Sequence, residues 1–199
     1  MSIVTIVFHS GYGHTQVQAE AVAEGARSVP GTDVHLVPVE DVDSNWNLLD
    51  SADAIVFGCP TYMAGPSAQF KAFMDSTSGR WGEQQWKDKL AGGFTNSAGL
   101  NGDKLNTLES LSLFAMQHSM IWAGLGLLPG NHTSTGTPED LNRLAGFLGA
   151  MAQSNADVGP DVAPGRSDQR TAAHLGQRVA AAAARWTDLV PATVGASPA

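Results

Sequence analysis

The chain has 199 residues, 43% hydrophobic and 15% charged, with 11 Lys+Arg against 19 Asp+Glu for a net charge of −8. That length gives room for one domain with a full core, and the apolar content excludes general disorder. So acidic a balance, with no Lys/Arg cluster, excludes nucleic acid as a partner, and the single cysteine, Cys59, excludes an internal disulfide and a thiolate zinc site.

Ser2–Phe8 (SIVTIVF) is an almost unbroken β-branched and aliphatic run. It predicts a strand covered on both faces, too short for a signal peptide or a membrane span, and so a soluble cytoplasmic chain. After His9–His14, Ala19, Val22, Ala23 and Ala26 recur at helical spacing while Glu20, Glu24 and Arg27 face outward, until Pro30-Gly31 stops the helix. Val34–Val39, Ala54–Gly58 and Leu90–Phe94 read as the second, third and fourth strands. Ala68–Ser76 reads as a helix burying Phe70, Phe73 and Met74, and Leu105–Gln117 as another. A fifth apolar run spans Ser119 to Leu128, and the last helix covers about Thr171–Leu189. Thr137-Pro138-Glu139-Asp140 starts like a helix, while Gly146 and Gly149 in Ala145–Ser154 favour a loop; a short helix from Pro138 giving way to a loop reconciles them.

Strands alternating with helices predict an α/β fold: a doubly wound, five-stranded parallel sheet with helices on both faces, of the flavodoxin-like type. Residues 1–190 form its single domain and 191–199 a mobile C-terminal tail. Ligands in such folds sit beyond the carboxyl ends of the strands. At the first of these, Ser10, Gly11, Tyr12, Gly13, His14 and Thr15 combine hydroxyls with glycines ahead of a helix start, as an anion site held by backbone N–H groups requires. No Gly-x-x-x-x-Gly-Lys pattern occurs, and Gly11-x-Gly13 lacks the third glycine of a dinucleotide fingerprint. After the third strand, Pro60, Thr61, Tyr62, Met63 and Ala64 make a stiff loop able to flank a planar ring. After the fourth, Thr95, Asn96, Ser97, Ala98 and Gly99 offer amide and hydroxyl groups to a heterocycle edge. Each loop alone could be a plain turn; three together mark a site.

No metal-spaced histidine pair and no Gly-x-Ser-x-Gly elbow occurs, and Cys59 reads as a small buried hydrophobe. His118 closes a helix, where it either pairs with the helix dipole or enters the pocket. Trp81 lies in a glycine-flanked loop, available to lean over a ligand or to pack at a core or interface.

HSGYGHT, GCPTYMAGPSAQFKAFMDSTSGRW and TNSAG, in that order, resemble the flavodoxin-like NAD(P)H:quinone oxidoreductases of the WrbA type, a likeness running from about Ser2 to the final helix. The resemblance implies an FMN cofactor, its phosphate on Ser10–Thr15 and its ring against Pro60–Ala64 and Thr95–Gly99, with Trp81 and His118 beside it. It further implies NADH or NADPH as electron donor, a quinone-like acceptor, and a homodimer or homotetramer. No side chain is required as nucleophile; only His118 is a candidate catalytic group. Tyr62 stands where the family commonly has arginine, Phe147 where it has proline, and the insertion after the second strand is missing between Glu40 and Ala54. Two other readings remain: a flavodoxin-type FMN electron carrier without substrate turnover, and a flavin-free interaction module on the same fold.

Overall fold

The computed structural model describes residues 1–189, so the tail expected at 191–199 lies outside the described residues. The elements run β1 Ser2–Phe8, α1 His14–Arg27, β2 Thr32–Pro38, a 3-10 turn Val39–Ser44, α2 Trp46–Asp50, β3 Ala54–Tyr62 and β4 Gly65–Pro66. Then come α3 Ala68–Ser76, α4 Ser78–Gly82, β5 Leu90–Ser97, α5 Lys104–Gln117, β6 Ile121–Trp122, β7 Ala150–Gln153 and α6 Arg166–Leu189. The sheet order is β2-β1-β3-β5-β6, with β7 also on β5 and β4 folded back on β3. All pairings are parallel except the β3–β4 hairpin. This is the doubly wound flavodoxin-like sheet that the element order predicts.

The pleat of the central strands divides the core in two. Val4, Ile6 and Phe8 of β1, with Ala54 and Val56 of β3, pack under α1 and α6. Val7, Ile55, Phe57 and Cys59 face the opposite way, among Leu49 of α2, Phe70 and Phe73 of α3, and Leu108, Leu111 and Phe114 of α5. Each fully buried aliphatic or aromatic side chain contributes about 1.5–3 kcal/mol. Helices α1 and α6 touch backbone to backbone, because Gly25 lies against the Ala173 carbonyl and Gly176 against that of Val22; neither contact leaves space for a Cβ.

Two expectations need correction. The fifth run does not form one strand from Ser119 to Leu128: β6 pairs only with Leu90 and Ala91, and β7 takes up the same edge beside Phe94–Ser97. Gly126, at φ +70°, turns the chain away, and Leu125 N–H goes instead to the Phe147 carbonyl, 2.8 Å. Residues 123–149 therefore form an excursion inside the fifth strand position. Nor does a helix start at Pro138. Thr137 N–H bonds the Asp140 carboxylate at 2.7 Å, and Asn142, in the left-handed region, clasps Gly146 N–H and C=O through its amide, both at 2.9 Å. These side-chain bonds replace the helical ladder with turns. Of Ala145–Ser154, the last part is strand β7 rather than loop.

Candidate functional site

The carboxyl ends of β1, β3, β5 and β7 surround a cavity of about 680 Å³. Tyr12, His14 and Thr15 line it from the first loop, Pro60, Thr61, Tyr62 and Met63 from the second, and Asn96, Ser97 and Ala98 from the third. A fourth wall, Ser154, Ala156, Val158 and Gly159, comes from the loop after β7. No Asp, Glu, Lys or Arg is among these residues.

The first loop ends in Gly13, at φ +86°, which caps α1 without any side-chain hydrogen bond. The N–H groups of His14 and Thr15, the first two of α1, are available to an anion. Ser10 Oγ accepts Gln16 N–H at 3.0 Å and still has its own proton to donate. His14 Nε2 lies 2.9 Å from the Val158 carbonyl, so Nε2 carries the proton and ties the fourth wall to the first. Pro160 packs on Gly13, where a Cβ would lie 2.8 Å from its ring.

In the second loop the hydroxyls of Thr61 and Thr95 are 2.8 Å apart, as are those of Thr61 and Thr107, and Thr95 Oγ1 donates to the Cys59 carbonyl at 2.7 Å. That last bond fixes the direction of the whole chain. Thr95 spends its proton on the carbonyl, Thr61 donates to Thr95, and Thr107 to Thr61. Thr61 can therefore accept from a ligand in the cavity but not donate to it. Beyond it, Met63 and Ala64 both hold positive φ, 45° and 67°, in a two-residue hairpin turn normally built from Asn and Gly. Such non-glycine residues store strain on the order of 1–3 kcal/mol each. Asn106 Nδ2 secures the turn by donating to the Ala64 carbonyl, 2.6 Å. The Tyr62 ring crosses Gly11 and meets Tyr12 edge-on at 6.4 Å; burial, and then the neighbouring Tyr12, push its phenol upward in pKa.

In the third loop Asn96 and Ser154 bond each other twice, at 3.0 and 3.2 Å, joining the ends of β5 and β7. Ser97 Oγ donates to the Gly99 carbonyl and receives Lys104 Nζ at 2.7 Å. The sequence reading missed Lys104, along with the whole fourth wall. The signal for that wall was available: Asn155–Gly165 is as rich in Gly, Pro and Asp as the other loops.

Of the sequence candidates, Ser10, Gly11, Gly13, Ala64 and Gly99 in the loops and Thr95 on β5 help build the cavity without lining it. Trp81 and His118 are elsewhere. Both border a separate groove with Met74, Leu113 and Phe114, and Trp81 sits on the short helix α4, not in a loop. His118 neither reaches the cavity of its own chain nor pairs with the helix dipole. Its ring packs 4.6 Å from Trp86 and 4.8 Å from Phe114, and Nε2 is 2.8 Å from Thr77 Oγ1. Thr77 donates its proton to the Met74 carbonyl, so His118 is the Nε2–H tautomer, its buried Nδ1 left without a partner. Burial lowers its pKa to about 4, which keeps it neutral at pH 7.

One other cluster and the single cysteine carry no chemistry. Glu40, His9 and Ser67 stand in a row that resembles a hydrolytic triad, with His9 Nδ1 2.8 Å from Ser67 Oγ and Nε2 3.7 Å from Glu40. Ser67 is 1% exposed and does not line the strand-end cavity, so its hydroxyl is closed to a substrate there. Burial raises the Cys59 thiol to about 12, which removes it as a nucleophile. Among the described residues no group of three or more His, Cys, Asp or Glu could hold a metal.

The cavity fits a flavin mononucleotide: a helix start behind Gly13 and the Ser10 hydroxyl for a phosphate, and neutral polar groups with apolar walls for a planar heterocycle. Residues 9–126 match the family described as NADPH-dependent FMN reductase. The chain is 45% identical over 168 residues to the flavodoxin FldP of Pseudomonas aeruginosa, covering 82% of this chain and 88% of that one. It is 32% identical over 203 residues to the NAD(P)H dehydrogenase (quinone) of Geobacter sulfurreducens, covering 86% and 98%. In three dimensions it is similar to the WrbA-like flavodoxin of Agrobacterium tumefaciens, with TM-score 0.73, 42% identity and 93% and 99% of the two chains covered. An archaeal flavodoxin at 18% identity, TM-score 0.61, shares the fold. With more than half its length matched and relatives this similar, the chain belongs to the NADPH-dependent FMN reductase family and is a flavodoxin-like protein of the WrbA type.

Proposed function

We propose that this chain is an FMN-dependent oxidoreductase that takes hydride from NADH or NADPH and passes two electrons to a quinone-like acceptor. The observation that carries this reading is the cavity itself, open at the strand ends and free of charged side chains. When bound, FMN supplies the two-electron chemistry, and the protein supplies binding, orientation and electrostatics. The start of α1, with the Ser10 hydroxyl, holds the phosphate. Thr61, its proton committed to Thr95, accepts from the ligand; the third loop faces the heterocycle, and Tyr12, Tyr62 and Met63 form an apolar rim for flat substrates. No side chain acts as nucleophile.

The same reading covers one domain, residues 1–190, in a homodimer or homotetramer. The exposed apolar residues Trp81, Leu113 and Met116, on α4 and α5, support self-association. Its cytoplasmic location follows from the NAD(P)H pool it draws on; among the described residues no helix is long and apolar enough to cross a membrane. Anaerobic turnover of NADH or NADPH with a quinone tests the reading, and loss of that turnover in Gly13→Val is the expected control. A flavodoxin-type electron carrier is the second reading, favoured by the likeness to FldP and by the net charge of −8, which suits a basic redox partner. Bound FMN that NAD(P)H does not reduce would decide for the carrier.

A further inference from the structure

Lys104 is fully buried, an uncommon state for a lysine, and sits directly behind the third loop at the start of α5. Its Nζ spends all three protons there, on Ser97 Oγ at 2.7 Å, on the Gly99 carbonyl at 2.7 Å and on the Leu100 carbonyl at 3.0 Å. Gln153 Nε2 takes the next carbonyl, that of Ala98, at 2.8 Å. In a trans peptide the N–H points opposite to the C=O. With these three carbonyls drawn toward Lys104 and Gln153, the N–H groups of Gly99, Leu100 and Asn101 point the other way. Ser97 and Ala98 line the cavity, whereas no Lys or Arg does. One hydrogen bond, from Nζ to Ser97 Oγ, separates the ammonium from a residue of the cavity wall.

We infer that Lys104 is a positioning residue which sets the polarity of the third loop, turning its carbonyls away from the cavity and placing a buried cation behind the wall, and so favours reduced over oxidised FMN. The inference rests on the flavin reading of the cavity. Reduction adds negative charge to a site whose lining supplies no formal cation, so a cation behind the wall acts on one redox form more than on the other. A ligand-independent brace would act on both alike. The charges facing Lys104 are Asp168 on α6 and Arg143 in the 123–149 excursion. Burial lowers its pKa to about 8, with Asp168 working against that shift and Arg143 with it, so the ammonium form holds at neutral pH.

The test compares the affinity of oxidised FMN with the midpoint potential of bound FMN in wild type, Lys104→Gln and Lys104→Arg. Lys104→Gln is expected to weaken reduced FMN about tenfold more than oxidised FMN, which lowers the two-electron potential by about 30 mV. Lys104→Arg, which keeps the charge, is expected to restore most of that shift even if both affinities fall. Equal weakening of the two forms in Lys104→Gln, with the potential unmoved, would overturn the inference. If Lys104→Gln does not fold, the wild type carries the test: its potential should fall more steeply with pH above about 8, where the cation is lost, and an unchanged slope there would contradict the assignment. A wild-type chain that takes up no FMN overturns the flavin reading, and this inference with it.

Discussion

The cavity at the strand ends and the groove beside α4 and α5 divide the candidate residues between them in an instructive way. The cavity is assembled from four loops far apart in sequence, lined by neutral hydroxyls, amides and apolar side chains. The groove holds side chains that look more chemical, with Trp81, His118, Lys71 and Asp75 on its edge. Yet His118 is packed tilted against Trp86 and edge-on to Phe114, held neutral and hydrogen-bonded to Thr77, which is how a core histidine is treated. Topology, more than the reactivity of individual side chains, decides where the ligand goes: the parallel sheet delivers its loops to one end, and helix α1 starts there.

The largest effect should come from the cavity side. In Gly13→Val a β-branched residue must adopt φ +86° and displace Pro160, so FMN affinity is expected to drop about 1,000-fold, roughly 4 kcal/mol, by fluorescence titration. The second acts on the groove. His118 has a folded pKa of about 4 against an ordinary 6.5, so its contribution is full above pH 6.5 and is lost as pH falls toward 4. Chemical denaturation should show up to about 3 kcal/mol of stability lost over that window, and His118→Phe should flatten the curve. Smaller again, Thr95→Val leaves the Cys59 carbonyl and the Thr61 proton without partners; the expected cost is about 1–3 kcal/mol in thermal or denaturant unfolding. The smallest is Trp81→Ala, which should leave the FMN affinity of the protomer within about twofold while lowering the mass seen by sedimentation. A Trp81→Ala loss of FMN as severe as that of Gly13→Val would erase the contrast between the two regions.

Much of this arrangement was legible in the residues. The runs SIVTIVF and AIVFG are strands because β-branched and aliphatic residues continue without polar alternation, and the loops at their ends announced themselves by Gly, Pro and hydroxyl content. The third and fourth strands run on to Tyr62 and Ser97, past their expected ends, since Pro60 and Asn96 stay in register at the sheet centre. The broken fifth strand was not legible. A two-residue and a four-residue piece, separated by 123–149, carry too little periodicity to be seen, and so the fourth wall after β7 went unassigned. Lys104 was hidden for another reason: at a helix start, sequence gives no sign that a lysine is turned inward under a loop rather than outward to water.

The central claim is that the strand-end cavity binds FMN and lets a nicotinamide reduce it. The direct test is the visible spectrum of FMN-loaded, desalted protein before and after anaerobic NADH or NADPH, beside Gly13→Val. A flavin band that survives desalting and bleaches with NAD(P)H in wild type, and is missing in Gly13→Val, is the predicted result. A colourless wild type, or a band retained equally by Gly13→Val, would contradict the assignment of the cavity.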